Sequence, residues 1–502
     1  MNSARAARHN GFTLYVVLIV VTIGALTAGS VVYSAQAQRA AADAAARRVQ
    51  SRAIAWSGVQ AAMEAFRVQR DELIRGIEPD LPEDWSLFAE PSGRRAVARL
   101  VAGTDGRLLE SESGKLDINT ATEAMLALVP GLDAEVVKRI VATRGSRKFL
   151  SVHDLSAVEG LRGAINGTTG SEDEPASADA FVPPEALSPS RPLTELLTVF
   201  SFEPNVQAGM GRNAESNTGV RRISLSGKWS ERLGRAITDR FDEGASNLVK
   251  SLMEQGTKFE KESDIVKVLR RFNVEAKDWG EVLDAFCGDA GPYRLGRMDV
   301  LNAPGEMLAC IPGIDASAAE QIVLRRSKLA PEQRLSLVWL VTENILTPDQ
   351  FEQAADHLGT RSMQWRIVIE AGFVDGDSDE GEENPPLVDR VVVEAVLDVS
   401  SERPRVAYLR EITMVEAARQ LGPLRRVATV KEEEPEAVSA ASPPGRAVSS
   451  SPATGRGSGS RPAARSQSPE TGAEPSDANA DGSAAAVEEK DPRLGRWTPG
   501  PQ

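Results

Sequence analysis

The sequence predicts an α+β fold: one long N-terminal helix packed on a small antiparallel sheet, with a large inserted all-α domain that carries two helix-hairpin-helix-like repeats. Three observations predict it. No formally charged side chain occurs from Asn10 to Gln38, and helix-forming residues then continue to Arg70 with no proline before Pro79. Segments 115–144 and 297–326 align without a gap, every position shifted by 182 as from Asp117 to Asp299. After the second copy come three runs with strand alternation, 362–373, 387–399 and 405–415, rich in Val and Ile.

The apolar part of the first element, Phe12 to Val32, is about twenty residues long, which is the length that spans a bilayer. Arg5, Arg8 and His9 precede it with no balancing acid, so the positive-inside rule keeps residues 1–11 cytoplasmic and sends the chain after Val32 outward. A signal anchor or a cleaved signal peptide gives the same hydropathy. Against a cleaved peptide, the Ala-rich stretch from Ala35 to Arg70 extends the apolar run as helix instead of beginning afresh. One helix from Phe12 to about Arg75 would be about 100 Å long.

The junction Gly11-Phe12-Thr13-Leu14, with basic residues before it and the apolar helix directly after, resembles the processing site of type IV prepilins and pseudopilins. The resemblance implies that a prepilin peptidase cuts after Gly11 and that the new N-terminus, Phe12, is methylated. Most members of the family carry glutamate at the fifth mature position, where it pairs with a neighbouring subunit's α-amino group. Here that position is Val16, and no acid precedes Asp43. An unpaired charge in the bilayer costs several kcal/mol, so a subunit without the acid cannot sit behind another one. It fits the tip. The K-type minor pseudopilins of type II secretion systems share this departure and contain two helical repeats. The resemblance to them implies a non-enzymatic subunit of the inner membrane, single-pass, that caps the pseudopilus. Its implied partners are other minor pseudopilins, the inner-membrane platform of the secretion system and the prepilin peptidase.

In each repeat a short helix ends at a Pro-Gly pair and a second begins at an aspartate suited to capping it: Pro130, Gly131 and Asp133, then Pro312, Gly313 and Asp315. Asn119-Thr120-Ala121 in copy one resembles the family's NxNTA-like opening more closely than Asn302-Ala303-Pro304 in copy two. Cys310 recurs at the position of Leu128, on what reads as a buried helix. Such hairpins often hold DNA by offering backbone N–H groups to a phosphate through a Gly-hydrophobic-Gly turn. That makes a membrane-tethered DNA receptor of the competence type the alternative function. Here the second glycine is replaced by Asp133 and Asp315, which repel phosphate, although Lys138, Arg139, Arg144, Arg147 and Lys148 follow the first hairpin. Nucleic acid is therefore not the expected partner.

Between the copies, 163–192 reads as a loop, 193–204 as a helix end and a short strand, and 221–256 and 263–286 as helical. Segments 94–103 and 106–113 read as a hairpin turning at Thr104-Asp105-Gly106. The resulting division is a leader (1–11), a transmembrane and packing helix (12–78), the two parts of the α+β domain (79–114 and 361–415), the helical insertion (115–360, repeats 115–161 and 297–345) and a tail (422–502). The tail has almost no large apolar residues and is expected to stay disordered. In the acidic loop after the first late strand, Asp375, Asp377 and Asp379 alternate like the first half of a calcium loop. Glu380 stands where such a loop needs glycine and Pro386 where it needs glutamate, so a solvated acidic loop is the main reading, with those three aspartates as calcium candidates.

The net charge of −14 argues against a wholly nucleic-acid-binding protein. Two cysteines, Cys287 and Cys310, make no CxxC pair and are expected to be free or weakly paired, a periplasmic disulfide being the alternative. No GxSxG elbow accompanies His153-Asp154, and Walker A and HExxH motifs are absent, so no catalysis and no cofactor are expected.

Overall fold

The computed structural model describes residues 9–103, 106–161, 191–375 and 385–414. The first helix, α1 (His9–Val68), is 60 residues long, about 90 Å at 1.5 Å per residue. It breaks at Gln69 and resumes as α2 (Arg70–Ile74). Every α1 side chain from 14 to 50 is exposed. From Ser51 onward a single stripe, with Ile54, Ala55, Val59, Ala62 and Phe66 at helical spacing, is buried. Leu14 to Val68 contains a window apolar enough to cross a membrane, mean hydropathy 2.3, none of it buried in the protein.

The stripe lies on a six-stranded antiparallel sheet, five strands in the order β1-β2-β4-β5-β6 and the sixth, β3, paired with β4 beside β2. Its strands are β1 (Asp84–Ala89), β2 (Arg95–Leu100), β3 (Leu109–Ser111), β4 (Gln364–Val374), β5 (Val388–Asp398) and β6 (Arg405–Glu411). Alternating Ala96, Ala98 and Leu100 of β2 meet Ile367, Ile369 and Ala371 of β4 under the helix. At the sheet edge, Arg48 and Arg52 of α1 pair with Glu411 of β6 at 2.9 and 2.7 Å.

The predicted hairpin of 94–103 with 106–113 is corrected: β2 and β3 do not pair with each other. Both run antiparallel along the same side of β4, β2 from Val374 to Ile369 and β3 from Ile367 to Trp365. Between them the Gly103 N–H donates to the Arg107 carbonyl at 2.8 Å. The reason is length: β4 has 11 residues, and β2 alone would leave part of its backbone unpaired. The partner of β2 on its other side is β1, which the sequence reading did not include.

The chain leaves the sheet after β3 and returns at β4. The helical segments between do not make an all-α body, because among the described residues four two-stranded ladders tie it together. Three of the four are parallel and close a helical unit head to tail. Leu116-Asp117 pairs with Leu197-Thr198, Met298-Asp299 with Leu358-Gly359, and Ile223-Ser224 with Phe286-Cys287. In each the residue after the first strand donates its N–H across the ladder: Ile118 to Thr198, Val300 to Gly359 and Leu225 to Cys287, at 3.0, 3.0 and 2.9 Å. In each the second strand residue accepts the N–H two positions on, through Asp117, Asp299 and the Ser224 hydroxyl. The region between the two predicted repeats is thus a third unit of the same build, and its helix turn, at Gly256, has the same left-handed backbone as Gly131 and Gly313 (φ 87°, 84° and 85°).

A polar seam joins the helical body to the sheet. The Glu112 carboxylate is fully buried against Arg366 of β4 (2.7 Å) and Lys115 (3.0 Å). Glu203 is buried against Arg361 (2.5 Å) and Arg294, while Arg361 also donates to the Ile74 carbonyl at 2.9 Å.

Candidate interaction site at the hairpins

The first hairpin consists of α3 (Glu123–Leu126) and α4 (Ala134–Ser146), and its counterpart of α5 (Gly305–Leu308) and α6 (Ala316–Arg326). Asp133 and Asp315 are the N-caps: their carboxylates accept the N–H groups of Val136 at 2.7 Å and Ala318 at 2.8 Å. Late in each second helix an arginine reaches back to staple the opening turn. Arg144 donates to the carbonyls of Ile118 and Ala121 at 2.8 and 2.5 Å, and Arg326 to those of Val300 and Ala303 at 3.3 and 2.6 Å.

The surroundings differ. Pro130 and Gly131 are exposed, and a side chain built on Gly131 would meet nothing within 4 Å. Pro312 and Gly313 are half-buried, because α7 (Pro348–Ala354) covers that turn and sets the Gln350 carbonyl where a Cβ on Gly313 would clash with it. The expectation that position 128 is buried is corrected: Leu128 is 60% exposed where its counterpart Cys310 is 1% exposed. Among the described residues a helix sits over one turn and none over the other.

The electrostatics at the open turn do not suit a phosphate. The Val136 N–H at the start of α4 already serves the Asp133 carboxylate, and a second anion there meets it at close range. Of the basic cluster, Lys138 pairs with Glu135 at 2.8 Å, and Arg144 is committed to backbone carbonyls. Arg139 is half-buried; Arg147 and Lys148 are exposed.

Gly11 and Phe12 lie in the backbone of α1, but their side chains, like the leader residues 1–8, are outside the described residues. So are Asp377 and Asp379, the turn residues Thr104 and Asp105, the loop 162–190 and the tail. Asp375 is described and pairs with Arg94 at 3.3 Å. Among the described residues no three His, Cys, Asp or Glu side chains come together as a metal site. Cys287 and Cys310 are both free and buried, and burial, helped by Glu306, pushes the Cys310 thiol up to about 11. The Asp154 carboxylate accepts the Leu150 and Ser151 N–H groups at 2.8 and 3.1 Å.

Sequence reasoning missed the seam carboxylates. Burial raises Glu112, yet Arg366 and Lys115 outweigh it and hold the group at about 2; burial raises Glu203 likewise, and Arg294 with Arg361 bring it to about 2. At Asp299 burial outweighs the Asn302 and Leu301 donors and the charge of Arg326, and pushes the group up to about 6. The one signal available was Arg366, a cation inside an apolar strand.

Comparison with known families gives a match to the helix-hairpin-helix motif over residues 111–164, which covers the first hairpin and its flanks. No curated protein matches the chain.

Proposed function

We propose that this chain is a K-type minor pseudopilin: a non-enzymatic, single-pass subunit of the inner membrane that caps the type II secretion pseudopilus and helps to start its assembly. The observation that supports this reading most is α1, bare over 14–50 and packed on the sheet from Ser51, which suits a helix that crosses the bilayer and continues into a fibre. In this reading the prepilin peptidase cuts between Gly11 and Phe12, and Phe12 is methylated. No acid before Asp43 is available to neutralise a subunit ahead, and the helical body is too bulky for the fibre shaft, so the subunit belongs at the tip. The open first hairpin is where another minor pseudopilin docks. The second hairpin's turn carries α7 and has no such vacancy.

The second reading is a membrane-tethered DNA receptor, favoured by the motif match over 111–164. Full-length protein in detergent distinguishes the two. The proposal expects co-purification with co-expressed minor pseudopilins, reduced by Leu128→Ser, and little affinity for duplex DNA at physiological salt. Submicromolar, salt-sensitive DNA binding that is lost on replacing Lys138, Arg139 and Lys148 overturns it in favour of the receptor.

A further inference from the structure

His153 lies in a short helical turn, Val152–Ala157, that closes the first hairpin unit, and it faces the edge strand β6. Its Nε2 is 2.9 Å from a guanidinium nitrogen of Arg410, and its ring centroid is 6.4 Å from that of Tyr408. A guanidinium has donors and no acceptor, so this contact exists only while Nε2 keeps its lone pair, with the imidazole neutral and its proton on Nδ1. A second proton would place imidazolium and guanidinium side by side.

The charged and titratable groups facing the ring are Arg410 and Tyr408 on β6, Glu394 on β5, Arg366 on β4 and Asp154 on its own turn. The acids do not offset the cations. Asp154 is spent on backbone N–H groups, and Glu394 is paired with Arg366 at 2.5 Å.

We propose that the His153–Arg410 contact is a pH-sensitive latch that holds the first hairpin unit against β6 at neutral pH and releases it in mildly acidic medium. The direction follows from the surroundings: burial first, then Arg410, lowers His153 from its ordinary 6.5, so the latch is closed at neutral pH and opens as pH falls below that value. The release is local. The end of β6 stays tied to α1 through Glu411, held by Arg48 and Arg52, and the Phe200–Tyr408 ring contact at 6.3 Å does not titrate in this range. What opens is a patch of the sheet face opposite α1, where Arg410 and Tyr408 meet the hairpin unit.

The test uses full-length protein in detergent, reading amide exchange as protection factors corrected for intrinsic rates at about pH 7.5 and 5.5. In the wild type, protection of 405–411 and 152–157 should fall several-fold at the lower pH, while His153→Gln, which keeps a neutral acceptor, should hold it. The His153 ring signal should titrate below about 6.5. A ring midpoint at or above that value overturns the proposal, as does an equal loss of protection in wild type and variant. If His153→Gln fails to fold, the wild-type ring titration decides alone.

Discussion

The two hairpins share their turn, their capping aspartate and their arginine staple, yet among the described residues one turn is covered by α7 and the other is bare. What is shared is local: a left-handed glycine, an N-cap and a back-reaching cation lie within about thirty residues of one another. What differs is set by a helix some forty residues further on. The pair shows that a repeat can keep its geometry for stability in one copy and, with the same geometry uncovered, have a surface free in the other.

The largest expected effect separates the copies by pH. Glu112, beside unit one, sits at about 2 in the folded protein against an ordinary 4.5, so it contributes stability above pH 4.5 that is lost as pH falls toward 2. The loss is on the order of 3 kcal/mol. Asp299, opening unit two, sits at about 6 against 3.8, so its contribution is full below 3.8 and lost as pH rises through 6. Urea unfolding from pH 7 to pH 3 should show a smaller acid loss in Glu112→Gln than in wild type, and Asp299→Asn should lack the decline between about pH 4 and 6. Parallel curves for wild type and both variants would contradict these assignments.

Next comes coverage. Gly131→Ala and Gly313→Ala both force a left-handed alanine, costing about 1–2 kcal/mol. Only the second drives a methyl into the Gln350 carbonyl, adding about 1–3 kcal/mol of overpacking. Equal losses in denaturant titrations would mean that α7 does not cover the turn. The caps should not discriminate: Asp133→Ala and Asp315→Ala should each lose about 1 kcal/mol. Smallest is Leu128→Ser, within about 0.5 kcal/mol of wild type because the side chain is already 60% exposed. Any strong destabilisation by it would show that the exposed face is structural.

The hairpin turns, their caps and the late strands were legible in the sequence because each rests on neighbours within a turn or two. Alternation in 388–398 and Asp133 after Pro130-Gly131 are signals of that kind. The third unit was not, since its likeness lies in backbone pairing: Ile223-Ser224 and Phe286-Cys287 do the work of Leu116-Asp117 and Leu197-Thr198 with almost no identity. Nor was the seam. Glu112 and Arg366 are 254 positions apart, and a glutamate in a strand end reads as solvated until the fold supplies its cation. The β2–β3 hairpin misled for a related reason, as a good local turn lost to a longer partner strand.

The proposal for the whole protein turns on how its N-terminus is made. The most direct measurement is the mass of the mature N-terminal peptide from protein co-produced with a prepilin peptidase. The account predicts a chain beginning at N-methylated Phe12, and an uncut precursor for Gly11→Val. A mature N-terminus in the 33–40 region, or a wild-type chain still beginning at Met1, would contradict it.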